Sequence, residues 1–148
     1  MKPIVLLTLG LVLAGPALAH TDEYLDTVKA PHGGQLRMAG PHHYELVVQA
    51  DGLDVYVTDH AGTASDIKGA SATATVINGK TKTSVTLAPA GGNRLHGAGT
   101  FDPKARTKAV LSVSLPGQDA VQARFDLNRP AGDPHAAHKD EAGHDHSH

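Results

Sequence analysis

Cysteine and tryptophan are absent from this chain, and it holds only two phenylalanines and three tyrosines. Without thiols there are neither disulfides nor thiolate metal sites. An exported protein could have used disulfides as staples; this one must rest on its core alone. With few aromatics and many alanines that core is light, which predicts modest stability. A basic run is missing too, with 13 Lys and Arg set against 15 Asp and Glu. Nucleic-acid binding needs clustered cations, so that partner class is excluded. No nucleophile motif, glycine-rich phosphate loop or His-Glu-x-x-His segment occurs. Asp51, Asp54 and Asp59 cluster near turns, but not at the spacing of a calcium loop. The chain reads as a binding protein and not an enzyme.

What is present begins with an export signal. Lys2 gives a positive start, Ile4 to Ala14 is an almost unbroken apolar run, and Gly15-Pro16 ends any helix there. Ala17-Leu18-Ala19 then offers small residues where a signal peptidase inspects them. The run is too short to span about 30 Å of hydrocarbon comfortably, because a spanning helix needs about 20 apolar residues. Cleavage after Ala19 is expected. Only Lys2 is lost from the charges, so the formal net charge moves from −2 to −3. No second span follows, and all eleven histidines lie in the remaining chain.

Four zones result: a signal peptide over 1–19, a polar lead over 20–30, a domain over 31–128 and a tail over 129–148. Within the domain the apolar period is two. Tyr44, Leu46 and Val48 alternate with Glu45, Val47 and Gln49; Leu53, Val55 and Val57 alternate with Asp54, Tyr56 and Thr58. Similar sets run through Ala70–Ile77, Thr83–Leu87, Ala109–Leu115 and Val121–Leu127. Such alternation predicts half-buried antiparallel strands with one face in the core and the other in solvent. Asp51-Gly52 and Asn78-Gly79 read as two-residue hairpin turns of type I′. No helical window of useful length exists outside the signal. The expectation is an all-β domain, a single immunoglobulin-like antiparallel β-sandwich of about seven strands.

The histidines carry the chemistry. The tail, with no large apolar residue, cannot offset its ordering entropy and is expected to be disordered. It holds His135, His138, His144, His146 and His148, interleaved with Asp140, Glu141 and Asp145. Neutral imidazole suits zinc, copper and nickel, and nearby carboxylates can bind the ion or the far ring nitrogen. His20, as the new N-terminus, would offer an amine and a ring nitrogen to a cupric ion, completed by His42, His43, His60 or His96. His32 lies in Ala30-Pro31-His32-Gly33-Gly34, where proline and paired glycines specify a tight turn at the domain entrance. His42 and His43 must point to opposite faces of their strand, so at most one of them can share a side with His32. For His32, His42 and His43 a surface or hydrogen-bonding role is as reasonable as ligation; His60, in a turn after Asp59, and His96, within a strand, are each more often structural than ligating.

Pro31-His32-Gly33-Gly34, His43-Tyr44-Glu45-Leu46-Val47, Val55-Tyr56-Val57-Thr58-Asp59 and Thr86-Leu87-Ala88-Pro89 together resemble a family of small periplasmic proteins that accompany heavy-metal resistance and efflux systems. The pattern is also similar to the N-terminal segment of periplasmic adaptor subunits of heavy-metal exporters, and it covers roughly Lys29 to Leu127. The resemblance implies metal homeostasis in a Gram-negative periplasm and an efflux complex or its adaptor as partner. An N-terminal His20 is similar to that of small β-sandwich copper carriers, although the methionine-rich stretch of those proteins is missing and only Met38 remains beyond the signal. Expected cargo is a divalent transition metal, copper or zinc first, with nickel, cobalt or cadmium as further candidates. Two rival readings stand beside it: a docking module for an exporter or envelope assembly, and, more remotely, a copper enzyme acting through His20.

Overall fold

In a computed structural model, residues 22–128 are described. The export signal, His20 and the tail with His135, His138, His144, His146 and His148 lie outside the described residues. The alternating runs form strands β1 (Gln35–Ala39), β2 (His42–Gln49), β3 (Gly52–Asp59), β4 (Ser71–Asn78), β5 (Thr81–Pro89), β6 (Arg94–Ala98), β7 (Thr107–Ser114) and β8 (Val121–Asp126). All pair antiparallel in one eight-stranded sheet of order β1-β2-β3-β6-β5-β4-β7-β8. β4, β5 and β6 are sequential neighbours, with β3 beside β6 and β7 beside β4, which makes two overlapping Greek keys. β5 pairs with β4 over most of its length, from Ala72↔Leu87 to Asn78↔Thr81. It reaches β6 only through Ala88↔His96 and Pro89↔Leu95. The sheet therefore consists of two halves hinged at β5, and its ends nearly meet to form a barrel.

Period-two patterning sorted the inward residues correctly. Tyr44, Leu46, Leu53, Val55, Val57, Val76, Leu87, Leu95 and Leu111 are almost wholly buried, with Ile67, Phe101 and Phe125 filling between them. A fully buried side chain of the larger kind contributes roughly 1.5–3 kcal/mol. Ala72, Ala74, Ala109 and Ala123 contribute less, so the barrel cannot tolerate an open, wet side.

Its seam lies between β1 and β8. Gln35 and Arg37 point inward from β1, opposite Leu46 and Tyr44 in the ladder. The Gln35 amide donates to the Asp126 carbonyl at 3.0 Å and accepts from the Asp126 N–H at 2.9 Å, as a peptide unit would. Arg37 Nε donates to the Arg124 carbonyl at 3.1 Å. Side chains thus replace the missing ladder and leave no raw edge.

Three features differ from the sequence expectation. A six-residue helix, α1 (Asp22–Thr27), occupies the stretch read as a polar lead. It is too short to stand alone; buried Leu25 and the Asp26–Arg37 ion pair at 2.7 Å hold it, and Asp22 and Glu23 suit its positive N-terminal end. The β2–β3 hairpin turns on Ala50-Asp51, with Gly52 already paired to Gln49 inside the strand and no positive φ. At the β4–β5 turn only Gly79 takes positive φ, 62°, so both central residues are not left-handed as type I′ requires. Among the described residues no helix is long and apolar enough to cross a membrane.

Arg37→Met is expected to lower stability by roughly 3 kcal/mol, because it strands Asp26 and the Arg124 carbonyl without their cation. Urea unfolding measures this, and hydrogen exchange should accelerate at β1 and β8 first. A loss below about 1 kcal/mol, the range of an exposed pair, would show that the seam does not depend on Arg37.

Candidate functional site

The outward face of β1, β2 and β3 was expected to lie in solvent, yet Glu45, Asp54 and His43 on it are buried. For Glu45 and His43 the cause is the segment that precedes β1, whereas Asp54 is enclosed by its partners Gln49, Arg94 and His96. Helix α1 and residues 28–34 fold back over this face, and between them and the sheet lies a cavity of about 290 Å³. Tyr24, Leu25 and Val28 line it from the helix side; His32, His43, Glu45, Tyr56, Thr58 and His60 line it from the turn and the sheet.

Glu45 holds the turn down. Its Oε1 accepts the N–H groups of His32 at 2.8 Å and Gly34 at 3.1 Å, and its Oε2 meets His32 Nδ1 at 2.8 Å. The glycines make this approach feasible. Gly33 has φ of 77°, and a Cβ on Gly34 would lie 2.2 Å from the Leu46 carbonyl oxygen of β2. The backbone can press onto the strand only without a side chain there. With the carboxylate accepting, a proton sits on His32 Nδ1, and in the neutral ring the lone pair is then on Nε2. The ring also lies flat on Tyr56, with centroids 3.6 Å apart and planes 3° from parallel. A ring fixed in tautomer and orientation by a carboxylate is the usual geometry of a metal-ligating histidine.

His43 and His42 point to opposite faces, as strand geometry demands, and it is His43 that shares the cavity with His32. His43 stacks on His60 at 5.1 Å with 8° between planes. His60 follows β3 in a turn ordered by Asp59 Oδ1, which accepts the N–H groups of Ala61 and Thr63. His42 turns inward. Burial of its ring, with repulsion from His60 second and an opposing pull from Asp59, holds its pKa below the ordinary 6.5.

A second histidine–carboxylate pair lies farther along the same sheet face. Asp54 is buried and accepts from His96 Nδ1 at 2.8 Å, Gln49 at 3.2 Å and Arg94 at 3.3 Å. His96 is thus on β6, as expected for a strand position. Among the described residues no group of three or more His, Asp or Glu side chains is gathered closely enough to hold a metal ion.

Of the residues singled out in the sequence, the structure brings His32 and His43 to one cavity. Sequence reasoning passed over Glu45 and Tyr56 as site residues and named His60 only as one of four histidines that could complete a site with His20, whereas it lines the cavity beside His43. The signal for Glu45 was available: an acidic residue inside His-His-Tyr-Glu-Leu-Val-Val shares the face of His43 by parity. Compared with known families, curated proteins and solved structures, the chain matches none.

Two outcomes follow from this geometry. Glu45→Ala leaves two N–H groups without their acceptor, each worth about 1–3 kcal/mol when buried, and is expected to destabilise the domain while Glu45→Gln does so less. The ¹⁵N shifts of His32 should report Nδ1–H in the parent and a mixed tautomer in the variants; an unchanged tautomer would remove Glu45 from its orienting role. For His42 the folded state binds fewer protons than the unfolded one. Stability should therefore be full above pH 6.5 and fall as pH drops from there through the lower folded value. His42→Gln should flatten that slope in thermal melts between neutral and mildly acidic pH.

Proposed function

We propose that this chain is a periplasmic transition-metal-binding protein, a buffer, carrier or sensor in heavy-metal homeostasis. One observation carries the reading most: a histidine held in the Nδ1–H form by a buried glutamate, at a cavity that two more histidines share. Glu45 fixes the His32 ring at little entropic cost to the ligand, as a carboxylate behind a ligating imidazole does. His60 is exposed and follows a strand, so it can swing toward an arriving ion while His43 stays seated.

Copper(II) and zinc suit imidazole donors best, with nickel, cobalt and cadmium within range. The metal is cargo, and no catalytic role is assigned. In this reading the signal peptide is removed after Ala19, and the tail histidines 135, 138, 144, 146 and 148 raise the local metal concentration near the cavity through tethering. His20 would then stand at the new N-terminus. A heavy-metal efflux complex, or its periplasmic adaptor, is the partner this reading assigns. The two facing sheet halves also support the finer description as an immunoglobulin-like sandwich, whose Greek-key connections they share.

The carrying experiment is a calorimetric titration with copper(II), zinc and nickel of the exported protein beside two variants. One replaces the five tail histidines with alanine; the other carries His32→Ala and His43→Ala. One tight equivalent is expected to survive loss of the tail histidines and to disappear with the cavity pair. If all binding leaves with the tail, the cavity is not a metal site and the domain serves as a scaffold.

A further inference from the structure

We propose that the outer face of β5, β4, β7 and β8 is a docking surface for an anionic lipid bilayer. This goes beyond metal binding and does not rest on it. The sequence has no basic run, yet the fold assembles a basic face. Six of the ten Lys and Arg residues between positions 22 and 128 come to one end of this half of the sheet, so its charge differs in sign from the rest of the domain. They are Lys80, Lys82, Lys104, Arg106, Lys108 and Arg124, all exposed. Asn78 ties the 102–106 loop to the β4–β5 turn, its Nδ2 donating to the Asp102 carbonyl at 2.9 Å. The Gly79 N–H donates to the Arg106 carbonyl at 2.8 Å, which brings the segments carrying Lys80, Lys104 and Arg106 together. The acids at this end are Asp102 and Asp126, the latter 3.7 Å from Lys108, and a positive excess remains.

Charge alone describes a solvated face; the second observation is apolar. Among the described residues Tyr24 and Ile77 are the large hydrophobic side chains left exposed. Ile77 is paired with Lys82 of β5 on one side and with Lys108 of β7 on the other. Directly opposed residues share a face. Arg124 stands across from Val110 in the next row, and Thr75, Ile77, Lys82, Lys108, Val110 and Arg124 line one open groove. An apolar tip among cations matches a bilayer surface. The cationic heads meet lipid phosphates while their stems and the isoleucine rest on the acyl boundary. A plain polyanion would use the charges and leave Ile77 in water. The chain beyond Asn128 is another candidate occupant, because Asn128 stands at this end, its Oδ1 accepting the Thr107 N–H at 3.0 Å. Residues 129–148 set Asp133, Asp140, Glu141 and Asp145 against Arg129 and Lys139 and offer no large apolar side chain to cover Ile77. The bilayer supplies both anions and an apolar boundary.

The test is sedimentation of the exported protein with vesicles, in the presence of a chelator so that metal plays no part. Phosphatidylcholine vesicles containing one third phosphatidylglycerol should bind it, and pure phosphatidylcholine should not. Replacing Lys82, Lys108 and Arg124 together with glutamine should weaken binding about a hundredfold, and Ile77→Ser about tenfold. All four positions are exposed, and thermal melts check that the variants fold. Beyond the export signal the isoleucines are Ile67 and Ile77, and Ile67 is buried. With isoleucine methyl labelling, spin-labelled lipid should therefore broaden the Ile77 signal and spare that of Ile67. Absence of binding to the anionic vesicles overturns the proposal. So does Ile77→Ser binding as tightly as the parent, which would reduce the face to one for any polyanion. A full-length variant with Asn or Gln at the four acidic tail positions decides the remaining occupant. Equal binding by parent and variant supports the bilayer, whereas binding by the variant alone assigns the face to the tail and overturns it.

Discussion

Closure of the seam between β1 and β8 is the constraint on which the rest of this structure depends. A chain without disulfides and with alanine at many core positions has little reserve, and a curved sheet with two raw edges would admit water between its halves. Here the edges are too far apart for a ladder, and two polar side chains span the gap. Gln35 copies a peptide unit against Asp126, and Arg37 reaches the Arg124 carbonyl while Asp26 neutralises it. Each of these groups is buried or nearly so and would be costly unpaired; fully paired, they specify one register for β1. Placing charge at a seam is poor use of burial for stability alone. It does determine where β1 sits.

Because β1 is placed, the segment before it is placed as well. Asp26 is both the counter-ion of Arg37 and a residue of α1, so the bond that shuts the barrel also positions the helix over the outer face. On that face Glu45 pulls the residue 32–34 turn onto β2, and Gly34 lets the two backbones meet. The cavity is the space that remains between two anchored pieces. The outward surface carries two buried carboxylates, Glu45 bonded to His32 and Asp54 bonded to His96, and each is satisfied by three hydrogen bonds. Buried polar groups are tolerated when their bonds are complete, and both orient an imidazole.

Much of the strand pattern was legible because periodicity of two is a local property. Tyr44, Leu46, Leu53, Val55, Val57, Ala72, Ala74, Val76, Leu111 and Val113 all face the core as the alternation required. Less legible was anything that depends on what covers a face. Alternation says that Glu45 and Asp54 point away from the core. It cannot say that a helix and a turn arrive over Glu45, because α1 is too short to show a helical period, nor that Arg94 and His96 of β6 come to Asp54. Hairpin glycines were read for turn chemistry, and Gly52 instead avoids the Gly97 carbonyl, which a Cβ would approach to 2.5 Å. That requirement arises from β6, more than forty residues away in sequence. The Pro-His-Gly-Gly entrance was recognised as a specified backbone, and its partner is the glutamate of β2, beyond the strand that follows the entrance.

Fold and candidate site also share one geometric dependence. His42 and His43 are adjacent, and the sheet sends one ring inward, where burial works against its charged form, and the other into the cavity. A strand shifted by a single residue exchanges every side chain between faces. Such a slip in β2 would bring Glu45 into the core and expel Tyr44 and Leu46. The register of β2 therefore sets the core and the lining of the cavity together. The Gly40-Pro41 turn between β1 and β2, with Gly40 at φ of 57°, secures that register from one end, and Gln35 with Arg37 secure it from the other. The histidines on this face therefore need no dedicated scaffold, since the interactions that close the barrel already hold them at fixed spacing.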